Sequence, residues 1–330
     1  MPSATFDIPG RICLFGDKID LMGRPVIAAT ITKFLRFTMA TRDDNIIRFY
    51  SCDYPDEEET FSCDDLDAVF ACKQEQHLRY WHACLRSLSE FVESGRIGGF
   101  DAEVCSTGLP IGAGLSTSAA VSVGFISGLN NLFGLGLSKL EMAENAYVAE
   151  HDILGIMCGR MDQYSIAHGG VTFISTGERP GVDVLDVDCL PLVIGDSCEP
   201  REAKKVLNRV KQELEAQNPV YIGAFDVVHG VVLEGRTQLE NGCDLARLGA
   251  LMSLQQEQEN VIGAATDKLN RLCNVAIEAG AFGAKQMGAG GGGCMLAICS
   301  DEAVQEAVVE ALNEAGGRAE AANIYRYPTA

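Results

Sequence analysis

The chain has 330 residues, 47% of them hydrophobic, which is enough for two domains that each bury a core. A formal net charge of −20 argues against nucleic acid or an anionic membrane as the main partner, since most of the surface would repel either. It leaves room for an anionic small molecule, which needs only a few Lys or Arg side chains, backbone amides or a metal ion.

The first residues, Met-Pro-Ser-Ala-Thr-Phe-Asp, carry neither a basic segment nor an apolar one. No window reaches about 18 uninterrupted apolar residues, so a soluble cytoplasmic protein is expected. The thirteen cysteines stand singly, without a C-x-x-C pair. They predict reduced, mostly buried thiols, with Cys105, Cys294 and Cys299 in apolar strand-like runs, and no structural zinc.

In chain order, Ile12 to Gly16 reads as a strand and turn, and Val26 to Ile31 as a second strand. The acidic run Asp53 to Glu59 reads as a solvated turn. Leu78, Trp81, Leu85, Leu88 and Phe91 share one helical face and predict a helix from about Glu75 to Ser94, with Trp81 in the core. A helix rich in small residues is predicted from Thr117 to about Phe133. Ser138 and Glu141 form a capping box that opens another, running to about Leu154. A short helix over Met161 to Ala167 follows, and the composition shift at Thr176 to Gly181 suggests a domain boundary. Beyond it come a strand at Leu190 to Ile194 and helices near 202–217, 244–260 and 265–280. A second glycine-rich segment, Gly288 to Gly293, leads into a strand at Cys294 to Cys299. Strands and helices mix without strict β-α alternation, which favours an α+β fold.

Three segments carry chemistry. Pro110 to Ala119 (P-I-G-A-G-L-S-T-S-A) runs a flexible backbone into a helix start. Gly112 and Gly114 can turn amides toward an anion, and the hydroxyls of Ser116, Thr117 and Ser118 are short donors or magnesium ligands. An ordinary glycine turn capped by serine is the plain alternative. Gly288 to Gly293 matches G-x-G-x-x-G but opens a strand, which argues against a dinucleotide fingerprint and leaves either a turn or a close approach to a ligand. Asp162 follows Cys158-Gly159-Arg160-Met161, with Glu150 upstream on a helix. Such a carboxylate either caps its helix and neutralises Arg160, or orients an attacking hydroxyl in phosphoryl transfer.

The order of Pro9 to Asp20 (P-G-R-I-C-L-F-G-D-K-I-D), Pro110 to Ala119, and Lys285 to Cys294 resembles the GHMP kinase superfamily, the galactose, homoserine, mevalonate and phosphomevalonate kinases. The first half is most similar to galactokinases, and the last third to mevalonate kinases. The resemblance implies an α+β fold of an S5-like N-terminal domain (1–182) and a ferredoxin-like C-terminal domain (183–330), with the site between them. It implies ATP and Mg2+ as cofactors. It further implies Asp162 and Arg11 as the catalytic pair, and Ser118 and Glu150 as metal ligands. The nucleotide would be held by Pro110, Gly112, Ala113, Gly114, Leu115, Ser116, Thr117, Ser118, Gly288, Gly290 and Gly291, and the acceptor by Asp17, Lys18, Asp20 and Asp162. The partner implied is a sugar or sugar derivative, bound by a monomer or homodimer. A mevalonate-type hydroxy acid, a decarboxylase that phosphorylates and then eliminates, and a non-catalytic sugar and ATP sensor are the alternatives. Asp17-Lys18-Ile19-Asp20-Leu21 stands where galactokinases show E-H-T-D-Y. This departure leads us to expect an acceptor other than galactose, acidic if Lys18 points into the pocket, unless Lys18 pairs internally with Asp17 or Asp20.

Overall fold

The computed structural model describes residues 2–73, 76–112 and 114–328, so Ala113 and the expected helix start at Glu75 lie outside the described residues. The chain forms two compact units, one of Met1–Gly10 with Lys33–His168 and one of Arg11–Thr32 with Gly169–Ala330. Two long strands, β1 (Ser3–Phe15) and β2 (Val26–Thr41), each carry the chain from one unit into the other. The contact division therefore falls at three points, away from the single boundary expected near Thr176 to Gly181.

In the first unit, the C-terminal half of β2 is joined by β3 (Ile46–Ser51), β4 (Glu58–Ser62) and, after helices α1 (Leu66–Val69), α2 (Arg79–Ser87) and α3 (Ser89–Glu93), by β5 (Phe100–Thr107). The strand order is β4-β3-β5-β2, with β3 and β5 parallel and the other pairs antiparallel. Helices α4 (Thr117–Phe133), α5 (Lys139–Val148) and α6 (Met161–His168) complete the unit, and a single π-helical turn, Ala149–Ile153, continues α5. Phe49 meets Trp81 edge-on and Trp81 stacks on Phe125, both at 4.9 Å between ring centres. Gly124 is needed there, because a Cβ at 124 would lie 2.3 Å from the Phe37 ring. The capping box at Ser138 and the burial of Trp81 are as the sequence predicts.

The second unit pairs the N-terminal half of β2 with β6 (Val171–Ser175), Val26 opposite Ile174, and β6 with β7 (Gly181–Leu185). Its remaining elements are β8 (Leu192–Asp196), α7 (Ala203–Glu215), α8 (Pro219–Glu240), α9 (Leu245–Val261), α10 (Asp267–Glu278), β9 (Gly283–Gln286), β10 (Cys294–Ile298), α11 (Glu302–Glu314) and β11 (Arg318–Ala322). An antiparallel sheet of order β11-β8-β10-β9 buries Val193 and Met295 with Leu269, Leu272, Val308 and Leu312 of α10 and α11.

Several expectations are corrected. Glu58 and Glu59 are not turn residues; they open β4, Glu58 opposite Tyr50, held by the backbone ladder. Cys52 and Cys105 are disulfide-bonded, because the parallel register sets Ser51 opposite Val104 and brings the next two residues together. Helices α8 and α11 lie outside the sequence reading; α8 starts on Asn218, whose side chain accepts from Val220 N, with Pro219 at the first helical position. Among the described residues no helix is long and apolar enough to cross a membrane.

Candidate functional site

In the first unit the glycine-rich loop feeds α4. Gly112 has φ 77°, and nothing lies within 4 Å of a Cβ built there, so the dihedral and not packing calls for glycine. Pro110 is exposed and Leu115 is buried at 1% exposure, so its side chain anchors the loop in the core. Ser116 sits in the left-handed region at φ 60°, ψ 45°, and makes no side-chain cap to the helix. Its hydroxyl instead donates to Asp162 Oδ2 at 2.5 Å. Thr117 Oγ1 donates to Pro110 O at 3.1 Å and closes the loop on itself. Of the three hydroxyls, two are thus given to the protein rather than offered to a phosphate.

Ser118 and Ser122, one helical turn apart, both lie beside the Glu150 carboxylate and favour its charged form, and the Ser122 hydroxyl donates to Ser118 O at 3.2 Å. Glu150 lies in the π-helical turn at 2% exposure and accepts from Gln163 Nε2 at 3.0 Å. Single π turns of this kind often mark functional positions. Burial pushes the Glu150 carboxyl up to about 7, and the nearby Asp162 charge adds to the shift. The Gln163 Oε1 is buried without a partner. Arg160 is held by Glu144 through bonds of 2.9 and 2.7 Å and lies 4.2 Å from the Tyr147 ring centre, while the Tyr164 hydroxyl donates to the same Glu144. This frame fixes the start of α6, where Asp162 is half-buried in the first turn.

In the second unit Arg11 is buried in β1, and Asp20 is half-buried in a 3₁₀ turn, Ile19–Met22. The charges of Asp17 and Lys18 are both met by protein partners. The Lys18 ammonium, from a left-handed backbone at φ 72°, pairs with Glu259 Oε2 at 2.6 Å and donates to Gly288 O at 3.0 Å. Asp17 is bound by Lys285 and the Gly288 amide, and accepts from Gln255 Nε2 at 2.8 Å. Burial pushes Asp17 up, yet Lys285 and Lys18 together hold it below the usual carboxylate range. Burial also raises Glu259, against the pull of Lys18. Lys18 does pair internally, but with a residue of α9 rather than with Asp17 or Asp20.

The loop Gly288 to Gly293 is likewise held from within. Gly291 N donates to Ala264 O at 2.8 Å and Gly291 O accepts from Glu202 N at 2.8 Å. At Gly290, φ 82°, a Cβ would lie 2.3 Å from Ala264 O. Close packing of backbone on backbone therefore explains much of this glycine run, and the amides of Gly288 and Gly291 are occupied. Sequence reading missed Ser122, Gln163, Gln255 and Glu259. A signal for the last two was present, since Met252, Gln255, Gln256 and Glu259 are buried at helical spacing, a polar stripe facing inward.

Residues 79–170 match the family model for the GHMP kinase N-terminal domain and residues 239–318 that for the GHMP kinase C-terminal domain. A mevalonate kinase from Pyrococcus horikoshii is 30% identical over 94% of this chain and 92% of its own length. The chain belongs to the GHMP kinase family. A galactokinase from Pyrococcus furiosus is 27% identical over 90% of this chain and 89% of the relative. The crystal structure of Lactococcus lactis galactokinase complexed with galactose superposes with a TM-score of 0.83 at 21% identity, covering 99% of this chain and 95% of that one, and shares its fold. The kinases of this family are ATP-using phosphotransferases, and the two relatives matched are a mevalonate kinase and a galactokinase. For Mg2+, Ser118 and Glu150 offer only oxygen ligands, as a hard cation prefers, and a divalent ion would hold the buried Glu150 ionised. The donor set fits.

Proposed function

We propose that this GHMP kinase phosphorylates a hydroxyl of a neutral sugar or sugar derivative other than galactose. The observation that carries the reading is the pairing of Lys18 with Glu259, which withdraws the cation of the D-K-I-D turn from an acceptor, while Asp20 is half-exposed at the other end of the turn. A carboxylate accepts from paired sugar hydroxyls, and a lysine withdrawn into an internal ion pair no longer favours an anionic acceptor. Leu21 in place of the Tyr usual in galactokinases argues against galactose itself. Asp162 is the carboxylate that orients the acceptor hydroxyl and receives its proton, and Arg11 neutralises charge on the phosphoryl in transfer. The Pro110 to Ser118 loop binds the nucleotide phosphates through its backbone. Ser118 and Glu150 hold Mg2+, which when bound neutralises phosphate charge. Asp17 and Lys18 hold their turn rather than touch substrate. Residues 1–182 and 183–330 are the functional halves, and the protein acts in the cytoplasm as a monomer or homodimer.

A mevalonate-type hydroxy-acid kinase is the second reading, favoured by the identity to mevalonate kinases. ADP release measured across neutral monosaccharides, polyols, uronic acids, galactose and mevalonate separates the two, with the product position assigned by NMR. A neutral sugar as the best acceptor supports the first reading; mevalonate as the best acceptor replaces it with the second.

A further inference from the structure

We infer that Ser116 is a positioning residue for Asp162, and not a ligand of the nucleotide. The inference rests on the reading of Asp162 as the carboxylate that orients the acceptor hydroxyl. A serine hydroxyl has one proton to give, and phosphate oxygens only accept from it. At 2.5 Å the Ser116 proton is committed to Asp162 Oδ2, so it is withheld from a phosphate.

The backbone shows how the commitment is made. A serine before a helix ordinarily takes an extended conformation and caps an amide of the first turn. Ser116 instead lies at φ 60°, ψ 45°, a conformation that costs an L residue energy, and makes no such cap. The Cβ is thereby redirected, and a side chain only 8% exposed reaches a carboxylate on another helix, 46 residues along the chain. Two residues on, Ser118 lies beside Glu150, which accepts from Gln163, the neighbour of Asp162. The end of the glycine loop and the start of α6 are thus joined by the Ser116–Asp162 bond, which fixes one oxygen of the carboxylate.

The test is Ser116→Gly in the full chain. Glycine accepts φ 60° without strain, so the variant removes the hydroxyl with no backbone penalty. Kcat is expected to fall by about tenfold to a hundredfold while KM for ATP stays within about threefold, because a misplaced catalytic group slows the chemical step without weakening binding. In an Asp162→Asn background, Ser116→Gly should cost nothing further, since both changes remove one function. Ser116→Ala, which keeps the strain and loses the hydroxyl, should match Ser116→Gly in kcat. A raised KM for ATP with kcat preserved would overturn the inference and make Ser116 a phosphate ligand. So would a second, additive loss on top of Asp162→Asn, or a kcat loss in Ser116→Ala alone. If Ser116→Gly keeps full kcat while Asp162→Asn is inactive, the positioning role fails and the role of Asp162 stands. If Asp162→Asn itself keeps near wild-type kcat, the underlying reading fails.

Discussion

Replacing Lys18 by Met should destabilise the second unit by about 3–5 kcal/mol, the usual cost of removing one partner of a buried ion pair. Asp17, Lys18, Glu259 and Lys285 form a tetrad of two anions and two cations with no net charge. Within it the Lys18–Glu259 pair at 2.6 Å and the Lys285–Asp17 pair are each at most 1% exposed. Methionine keeps most of the stem and deletes the charge, leaving one uncompensated carboxylate where water cannot reach it. Against a typical total of about 5–15 kcal/mol that is a large fraction. For a unit of this size it corresponds to about 2–4 °C in Tm per kcal/mol. The loss should depend on pH. Glu259 is already held above the ordinary carboxylate range by burial, so the folded state binds a proton more readily than the unfolded chain, and stability falls as pH rises above that range. Without Lys18 this slope steepens, so the variant should be weakest near pH 8 and partly recover toward pH 5. Lys18→Met/Glu259→Gln, with both charges gone, should regain about 2 kcal/mol over Lys18→Met. Thermal unfolding followed by circular dichroism reads all three, because the single tryptophan, Trp81, lies in the other unit and would not report the change. A Lys18→Met protein that melts within about 2 °C of wild type at pH 8, below the shift of one kcal/mol, would refute the argument that the tetrad is dry and mutually dependent.

The remaining predictions concern catalysis and acid stability. Asp162→Asn should lower kcat by about 10²- to 10⁴-fold with ATP affinity retained, measured by ADP release and by nucleotide titration. Ser118→Ala and Glu150→Gln should each raise the magnesium concentration for half-maximal activity by about tenfold or more; an unchanged requirement in either removes that residue from the ligand set. Burial of His168 lowers its pKa below the ordinary histidine value of 6.5, so the folded protein resists a proton that the unfolded chain accepts, and stability falls as pH drops through about that value. His168→Gln should flatten this part of the stability profile in urea melts between pH 5 and 7.5, and an unaltered slope would assign it to other groups.

Much of the architecture was legible in the chain because its signals are local. The capping box at Ser138 and Glu141, the apolar face around Trp81 and the glycines at 112 and 114 follow from caps, helical period and dihedral preference, each contained within a few residues. The order of the three glycine- and charge-bearing motifs was enough to indicate the kinase family. The same rules misplace Glu58 and Glu59, whose strand is imposed by a ladder to β3, and overlook α8, whose apolar residues do not keep to one stripe. Composition suggested a row of separate thiols, and only strand register brought Cys52 to Cys105.

Which polar group meets which partner was decided by tertiary structure alone. Lys18 could read as a charge aimed at an acceptor until α9 brought Glu259 to it and the glycine loop brought Gly288 O, 270 residues away. Ser116 reads from its neighbours as a phosphate donor, yet its left-handed backbone turns the hydroxyl to Asp162. A side chain type sets what bonds are possible within its own reach. Burial then demands that each polar group find a partner, and for these residues the partners lie tens to hundreds of positions away, where only the packed fold can bring them.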